Sequence, residues 1–334
     1  MSDASGSGVH LFDRNSAPVF VLGAPRSGTN LLYYMIVSSG GFTDYRDEGA
    51  VFSELRLRFG DLRRTVNREK LMAFWLRTTW FAATGLDAQD IRDKILTGCR
   101  SVGDFQRIVM EEIARKQGVK RWVETTNDHT AYISEIKSEI PDALFVHVIR
   151  DGRDVALSME KTHHLGNYPW APERALIVSG QYWEWLVNKG RAEGLALGRD
   201  YIEVHYEDLY FRPRDVLTRL SSFIEHDLSY DYILKHATGK VNQPNTAFLE
   251  DFNSATFNPV GRWKTRLSRQ ELVDFESVVG DTLRDLGYPL VTPESELEHN
   301  WKIRKMRAIY PSVFSLKHWL RSKTPAMRLR SYSP

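Results

Sequence analysis

Hydrophobic residues form two short uninterrupted runs, at 18–22 and 143–149, and each run ends abruptly in polar residues. Runs of this length with many β-branched residues are typical of buried parallel strands. After the first run the apolar spacing becomes helical, at 31–37, and the second run leads into a further helical segment. The pattern predicts two strand–loop–helix units, and hence an α/β fold with a central parallel sheet flanked by helices.

Between these two units, apolar residues of segment 54–120 recur at helical spacing. We interpret this segment as a helical insertion in a single domain of residues 17–295. The Ser- and Gly-rich residues 1–16 predict a flexible N-terminus, and residues 296–334 form a C-terminal extension.

The loop after the first run contains Gly23 and Gly28, with four residues between them, followed by Thr29. A loop that joins a strand to a helix presents backbone N–H groups to an anion. The spacing nearly matches the nucleotide-binding P-loop, but its lysine is absent and Arg26 lies inside the loop. The loop therefore favours an anion other than a nucleoside triphosphate, although an ordinary turn between a strand and a helix uses the same glycines.

The second run is followed by Arg150, at the strand end where open α/β sheets bind ligands. Asp154 is predicted to cap the helix that follows, and Ser158 lies inside that helix. An arginine and a hydroxyl together can hold a phosphate monoester. The sequence thus predicts two separate sites for anionic groups.

Together, the two loops resemble those of the sulfotransferases that use 3′-phosphoadenosine 5′-phosphosulfate (PAPS), closest to the bacterial and tyrosylprotein-type branch. Further matches follow in family order: Glu124 with His129, the strand-like segment 201–206, and the run from Gly261 to Lys264. The resemblance implies a three-layer fold like that of P-loop NTPases. It also implies PAPS as sulfuryl donor and adenosine 3′,5′-bisphosphate (PAP) as product.

The resemblance assigns donor-binding roles to two groups of residues. It implies that the 5′-phosphosulfate is held by Arg26, Ser27, Gly28, Thr29 and Asn30. It implies that the 3′-phosphate is held by Arg150 and Ser158, with Tyr206, Arg262 and Lys264 closing that site.

A sulfuryl transfer also needs a base that takes the proton of the acceptor. The resemblance to the tyrosylprotein-type branch places a glutamate at this position, and Glu48 is our first choice, ahead of Asp47 and Glu54. The cytosolic branch of the family uses a histidine instead, which makes His129 the rival candidate. Arg26 is the predicted catalytic cation.

One departure from the family pattern concerns the segment that begins at Glu124, where related sequences often carry a lysine and this chain has Thr125. Either Arg26 together with another residue, such as Lys161 or Lys264, supplies that charge, or the segment binds the acceptor. Two alternative functions therefore remain open: a P-loop-type small-molecule kinase or nucleotide hydrolase, and a catalytically inactive PAPS- or PAP-binding protein.

The composition is that of an ordinary globular protein, with 42% hydrophobic and 26% charged residues in 334. The sequence has no apolar run of membrane-spanning length and no secretory signal, so we expect a cytoplasmic enzyme. A single cysteine, Cys99, excludes an internal disulfide, and no metal site is expected. The acceptor class stays open among small molecules, carbohydrates and lipids, and the sequence does not indicate an oligomeric state.

The segment 301–334 is strongly basic, with nine Lys or Arg residues and no Asp or Glu. Such a segment can attract an acidic acceptor or make a weak contact with an anionic membrane surface. We favour a helix that packs back on the domain with its basic side outward. The chain contains no recognisable nucleic-acid-binding module, so no nucleic-acid partner is expected.

Overall fold

The computed structural model describes residues 13–45, 49–162, 165, 175–241, 258–297 and 301–323, with 302–304 and 306 described by backbone alone. Within these residues one parallel sheet is formed by β1 Val19–Leu22, β2 Val123–Glu124, β3 Leu144–Ile149 and β4 Tyr201–His205. The spatial order is β2-β1-β3-β4. The chain therefore adds β2 on one side of β1 and then crosses back to add β3 and β4 on the other side. Sheets with this topology bind ligands at the switch point, which here lies between β1 and β3.

Helices cover both faces of the sheet. Those of the first half are α1 Thr29–Ser38, α2 Thr65–Trp75, α3 Thr79–Thr84, α4 Ala88–Gly98, α5 Val102–Gln117, α6 Ile133–Glu139 and α7 Gly152–Lys161. Those of the second half are α8 Ala175–Gly194, α9 Tyr206–Phe211, α10 Pro213–Ile224, α11 Tyr230–Lys235, α12 Trp263–Arg266, α13 Arg269–Asp285 and α14 Trp301–Lys323. Helices α2 to α5 lie within the segment that we interpret as an insertion.

The sheet separates two hydrophobic cores because successive side chains of a strand point to opposite faces. Phe20 and Phe145 belong to the core shared with α5, α7, α8 and α13, whereas Val19, Val21 and Val146 belong to the core shared with α1 and α10. All five side chains are fully buried. The result is three layers, which confirms the predicted α/β fold.

The start of α7 differs from the sequence prediction. Asp151 is the residue that caps the helix, and its side chain accepts a hydrogen bond of 3.0 Å from the Arg153 N–H. Asp154 lies in the first turn, where its carboxylate accepts hydrogen bonds from the backbone N–H groups of Gly261 (2.7 Å) and Trp263 (3.1 Å). The prediction that Asp154 caps α7 is therefore wrong, because the helix begins earlier and Asp154 holds a distant segment instead.

The last described helix, α14, packs against α8 and against a short helical turn, Val51–Leu55. Phe314 of α14 is 1% exposed and contacts the ring of Tyr182 on α8. In the part of the chain that the structure describes, no helix combines the length and the hydropathy needed to cross a bilayer.

Candidate active site

The loop between β1 and α1, residues 23–28, lies at the switch point of the sheet. Arg26 adopts a left-handed backbone conformation (φ 70°), which is uncommon for a residue with a side chain. Gly28 caps α1 with φ 96°, and no side chain caps the first N–H groups of that helix. Strained backbone of this kind clusters at functional sites. The loop therefore offers backbone donors and the positive end of a helix dipole in one place.

Three of the predicted donor-site residues form one connected cluster. The Arg26 Nε donates a hydrogen bond of 2.9 Å to the Ser158 Oγ, and the Arg150 Nη1 donates one of 2.9 Å to the Arg26 carbonyl oxygen. Burial lowers the pKa of the Arg26 guanidinium, and the neighbouring positive charge of Arg150 lowers it further. The Asp154 carboxylate lies 3.9 Å from the Arg150 Nη2, so the two guanidinium groups and this one carboxylate leave an excess of positive charge that favours an anion.

Two buried polar atoms of this cluster have no hydrogen-bond partner in the described part of the chain: the Ser27 Oγ and the Arg150 Nε. Ser27 is fully buried and Arg150 is 8% exposed. Buried polar atoms without a partner are rare in folded proteins because each costs about 1–3 kcal/mol. A hydroxyl and a guanidinium N–H in this position are suited to the oxygens of a phosphate or sulfate group.

The aromatic ring of Tyr206, at the start of α9, connects the two loops. The Arg150 Cζ lies 4.4 Å from the centre of this ring, a cation–π contact. The same ring packs on Gly28, where an added Cβ would lie 2.2 Å from the Tyr206 Cδ2. Only glycine fits at position 28, because both the left-handed backbone and the tyrosine ring exclude a side chain.

We expect the substitution Gly28→Ala to destabilise the protein by about 2–4 kcal/mol, because the methyl group must displace the Tyr206 ring and the backbone is strained. Gly118→Ala is the matched control, since Gly118 also has a positive φ (69°) but no atom lies within 4 Å of an added Cβ. Urea unfolding of both variants measures the difference. Equal losses for the two variants would contradict the packing between Gly28 and Tyr206.

The segment from Asn258 to Arg266 closes the cluster on another side. The Trp263 Nε1 donates a hydrogen bond of 3.1 Å to the Asp151 carboxylate, and the Arg153 Cζ lies 3.8 Å from the centre of the indole ring. The Arg150 Nη2 donates to the carbonyl oxygen of Pro259. This segment is therefore fixed by buried contacts to both α7 and Arg150.

The two predicted cations of this segment lie nearer to the surface. Arg262 is half-buried, and its Nε donates a hydrogen bond of 3.2 Å to the Asn258 carbonyl oxygen. Lys264 is exposed, with its Nζ 5.6 Å from the centre of the Trp263 ring. Both flank Trp263 in the segment whose Pro259 contacts Arg150, so a role at the rim of the site remains a prediction for each.

The turn Asn127–Ala131, which follows β2, is hydrogen-bonded to the loop between β1 and α1 and to the start of α1. The Thr29 Oγ1 donates a hydrogen bond of 3.0 Å to the Asn127 Oδ1, and the Gly23 N–H donates one of 2.8 Å to the Thr130 Oγ1. Asn30 follows in the first turn of α1 and is half-buried. A change in the position of this turn would therefore move the loop that we expect to hold the donor.

His129 is fully buried within this turn. The Phe52 backbone N–H donates to its Nε2 at 3.2 Å, so the Nδ1 carries the proton that is shared with the Glu124 carboxylate at 3.1 Å. Both ring nitrogens are thus engaged inside the protein. This geometry favours a positioning role for His129 over that of a base exposed to an acceptor.

Glu48 and Asp47 lie outside the described residues, but the chain on either side is firmly held. The Tyr45 N–H donates to the Tyr33 hydroxyl at 2.9 Å, and that hydroxyl donates back to the Tyr45 carbonyl oxygen at 2.8 Å. On the other side, Ala50 is buried with φ 43° and begins the turn that contacts His129. The described residues that flank positions 46–48 are therefore held by α1 on one side and by the turn that follows β2 on the other.

A residue that the sequence did not reveal, Arg321 of α14, joins two carboxylates beside this turn. Its Nη2 and Nε donate hydrogen bonds of 2.8 and 3.1 Å to the Glu54 Oε1, and its Nη1 donates to the Asp128 carboxylate. The charges of Asp128 and, to a smaller extent, Glu54 raise the pKa of Arg321. Through Asp128, the C-terminal helix restrains the turn that holds Thr29.

The fold and this cluster together place two arginines and two serine hydroxyls at the junction of two strand–loop–helix units, an arrangement suited to an anionic group. A family model described as "Sulfotransferase family" matches residues 18–230. The chain therefore belongs to the sulfotransferase family.

Several solved sulfotransferase structures are similar to this chain. The sulfotransferase domain from the curacin biosynthetic pathway matches with a TM-score of 0.54 and 16% identity, covering 81% of this chain and 98% of that one. A mouse sulfotransferase complexed with PAP matches with a TM-score of 0.45 and 16% identity, covering 81% and 87% of the two chains. The sulfotransferase domain of the Synechococcus PCC 7002 olefin synthase matches with a TM-score of 0.44 and 16% identity, covering 89% and 94%.

Proposed function

We propose that the protein transfers a sulfuryl group from PAPS to a hydroxyl or amine of a small-molecule, carbohydrate or lipid acceptor. The observation that carries this proposal is the buried cluster of Arg26, Ser27, Arg150 and Ser158, with two polar atoms left for an anionic ligand. PAPS supplies the activated sulfuryl group and has anionic groups at both the 3′ and the 5′ position of its ribose. A cluster built from two loops suits such a donor.

The loop between β1 and α1, residues 23–28, holds the 5′-phosphosulfate in this proposal, and we call it the donor loop. Backbone N–H groups at the start of α1, the Ser27 hydroxyl and the Arg26 guanidinium are its contacts, with Thr29 and Asn30 continuing along the first turn. Charge develops on the leaving phosphate during transfer, and fixed donors that point at this charge stabilise the transition state. Arg26 is therefore the proposed catalytic cation.

Arg150 and Ser158 hold the 3′-phosphate in this proposal. The Arg150 Nε has no partner in the described structure, while its other two nitrogens are fixed by the carbonyl oxygens of Arg26 and Pro259. The guanidinium is thus oriented before a ligand arrives, which reduces the entropy lost on binding. The Tyr206 ring contacts the Arg150 guanidinium in a cation–π arrangement and so helps to hold it in place. Arg262 and Lys264 add positive charge at the rim of the site.

A carboxylate takes the proton of the acceptor, and we assign this role to Glu48. Glu54 is less suitable because its carboxylate already accepts two hydrogen bonds from Arg321. His129 is less suitable because both of its ring nitrogens are engaged. At the position of the missing family lysine, Thr125 is half-buried and carries no charge. A positive charge is instead brought to this segment by Arg321, which donates a hydrogen bond to Asp128, three residues after Thr125.

The proposed donor is tested by comparing ligands in thermal unfolding. We expect PAP to raise the melting temperature, because a ligand at about 100 times its Kd stabilises the folded state by about 2.7 kcal/mol. ATP with Mg²⁺ lacks the 3′-phosphate and is expected to give a clearly smaller shift. A larger shift with ATP and Mg²⁺ would favour the kinase or hydrolase function. PAP binding without transfer of radiolabelled sulfate to any acceptor in a cell extract would favour an inactive binding protein.

A further inference from the structure

Helix α14 has two different faces. Its inner face carries Phe314, His318 and Ser322, which are buried against the domain. Its outer face carries five large hydrophobic side chains that are 42–62% exposed: Trp301, Ile309, Val313, Leu316 and Trp319. These five are almost half of the exposed large hydrophobic residues that the structure describes, so the outer face is unusually apolar for a protein surface.

Three of the exposed hydrophobic residues lie side by side around Pro311, which is inside the helix. Ile309, Val313 and Leu316 follow one another at intervals of four and three residues, which places them side by side on one side of a helix. Trp301 and Trp319 are five helical turns apart and therefore also share a side, adjacent to this row. We call these five residues the outer row.

Positive charge accompanies the outer row. Lys305 and Lys323 are exposed on the same side of the helix, and the Lys323 Nζ lies 4.2 Å from the centre of the Trp319 ring. The arginines of the inner side are instead engaged by carboxylates: Arg307 by Asp281 and Arg321 by Glu54. The sequence from 301 to 334 contains no acidic residue. The outward side of α14 thus combines apolar area with a charge of one sign.

We propose that the outer row is a docking surface for an anionic lipid bilayer, on which α14 lies parallel to the membrane plane. A row of Leu, Ile and Val between tryptophans and lysines has the chemistry of an interfacial helix. Indole rings prefer the boundary between lipid and water, and lysines adjacent to it attract anionic headgroups. A second copy of the chain fits less well, because a twofold interface brings the same surface of both copies together and opposes like charges.

This inference is independent of the proposed donor, because none of the residues of the outer row belongs to the cluster around Arg26. It extends the sequence interpretation of residues 301–334. The helix does pack back on the domain, but its outward side is apolar as well as basic. An acceptor that is itself a membrane lipid would be consistent with this arrangement.

Vesicle co-sedimentation of the full chain tests the docking surface. We expect binding to vesicles that contain phosphatidylglycerol, weaker binding to pure phosphatidylcholine, and a decrease as salt screens the charges. The double variant Val313→Asp/Leu316→Asp is expected to bind anionic vesicles at least about tenfold more weakly, because it loses apolar burial and adds like charge to the lipid. The matched control is Leu195→Asp, since Leu195 is 59% exposed and distant in sequence from the helix.

Light scattering and PAP-induced thermal shifts accompany these measurements. Unchanged melting temperatures in all variants, with vesicle binding lost only in the double variant, support the membrane surface. Equal binding of the double variant and the wild type would overturn it. A concentration-dependent dimer that the double variant abolishes would also overturn it, because the outer row would then be an interface between copies of the chain.

Discussion

The substitution Glu48→Gln is expected to lower turnover about 10²–10⁴-fold while leaving PAP binding unchanged, because a general base contributes about this factor. Glutamine has nearly the same shape as glutamate but cannot accept a proton. The measurement is transfer of radiolabelled sulfate from PAPS to an acceptor identified in a cell extract, combined with a PAP titration of the same protein. Separate determination of kcat and KM shows whether the loss lies in the chemical step.

Three further variants identify the base if Glu48 is not the residue responsible. Asp47→Asn, Glu54→Gln and His129→Gln change the other three candidates. Glu111→Gln is the matched control, because the side chain of Glu111 on α5 is 55% exposed. Full turnover of the Glu48 variant, with a loss of turnover but not of PAP binding in one of these three, would reassign the base.

The substitution Arg150→Ala is expected to weaken PAP binding about 10- to 100-fold, which corresponds to the 1.5–3 kcal/mol of a hydrogen bond to a charged group. Adenosine 5′-monophosphate lacks the 3′-phosphate, so its weaker affinity should change much less. Calorimetric titration of both ligands gives the two values. Their ratio reports on the 3′-phosphate alone, since both ligands share the adenosine and the 5′-phosphate.

The comparison of the two ligands also separates recognition from structural damage. Arg150 holds the carbonyl oxygens of Arg26 and Pro259, so its loss can also disturb the loop. An equal weakening of both ligands would indicate such damage and contradict direct binding of the 3′-phosphate. Arg214→Ala serves as the control for removing a positive charge, because Arg214 of α10 is exposed and forms an ion pair with Asp231 of α11.

The two strand–loop–helix units could be predicted because each is a local pattern: a buried run, a polar loop and a change to helical spacing. The hydrogen bond between Arg26 and Ser158 could not, because it depends on β1 and β3 being neighbours in the sheet. No spacing within either unit contains that information. The sequence suggested two separate anion sites, whereas the folded chain joins their side chains in one cluster.

Long-range partners account for the remaining differences. Asp154 matches the pattern of a helix cap, yet its carboxylate is engaged by a segment 107 and 109 residues further along the chain. Arg321 lies 267 residues from Glu54. The only sequence signal for that pair was the charge balance: residues 301–334 have an excess of basic residues, whereas the chain as a whole has 45 Lys or Arg and 43 Asp or Glu. Such a balance indicates that ion pairs form but does not identify the partners.

The contacts of Asp154 also bear on the order in which the protein matures. During synthesis the donor loop and α7 leave the ribosome long before Gly261 and Trp263, which supply the hydrogen bonds that the Asp154 carboxylate accepts. Contacts between residues so far apart in sequence form late and slow the folding of a domain. A nascent chain that ends before Pro259 therefore contains both loops of the proposed donor site without the segment that fixes Arg150. The complete site is acquired only when the last third of the domain has been made.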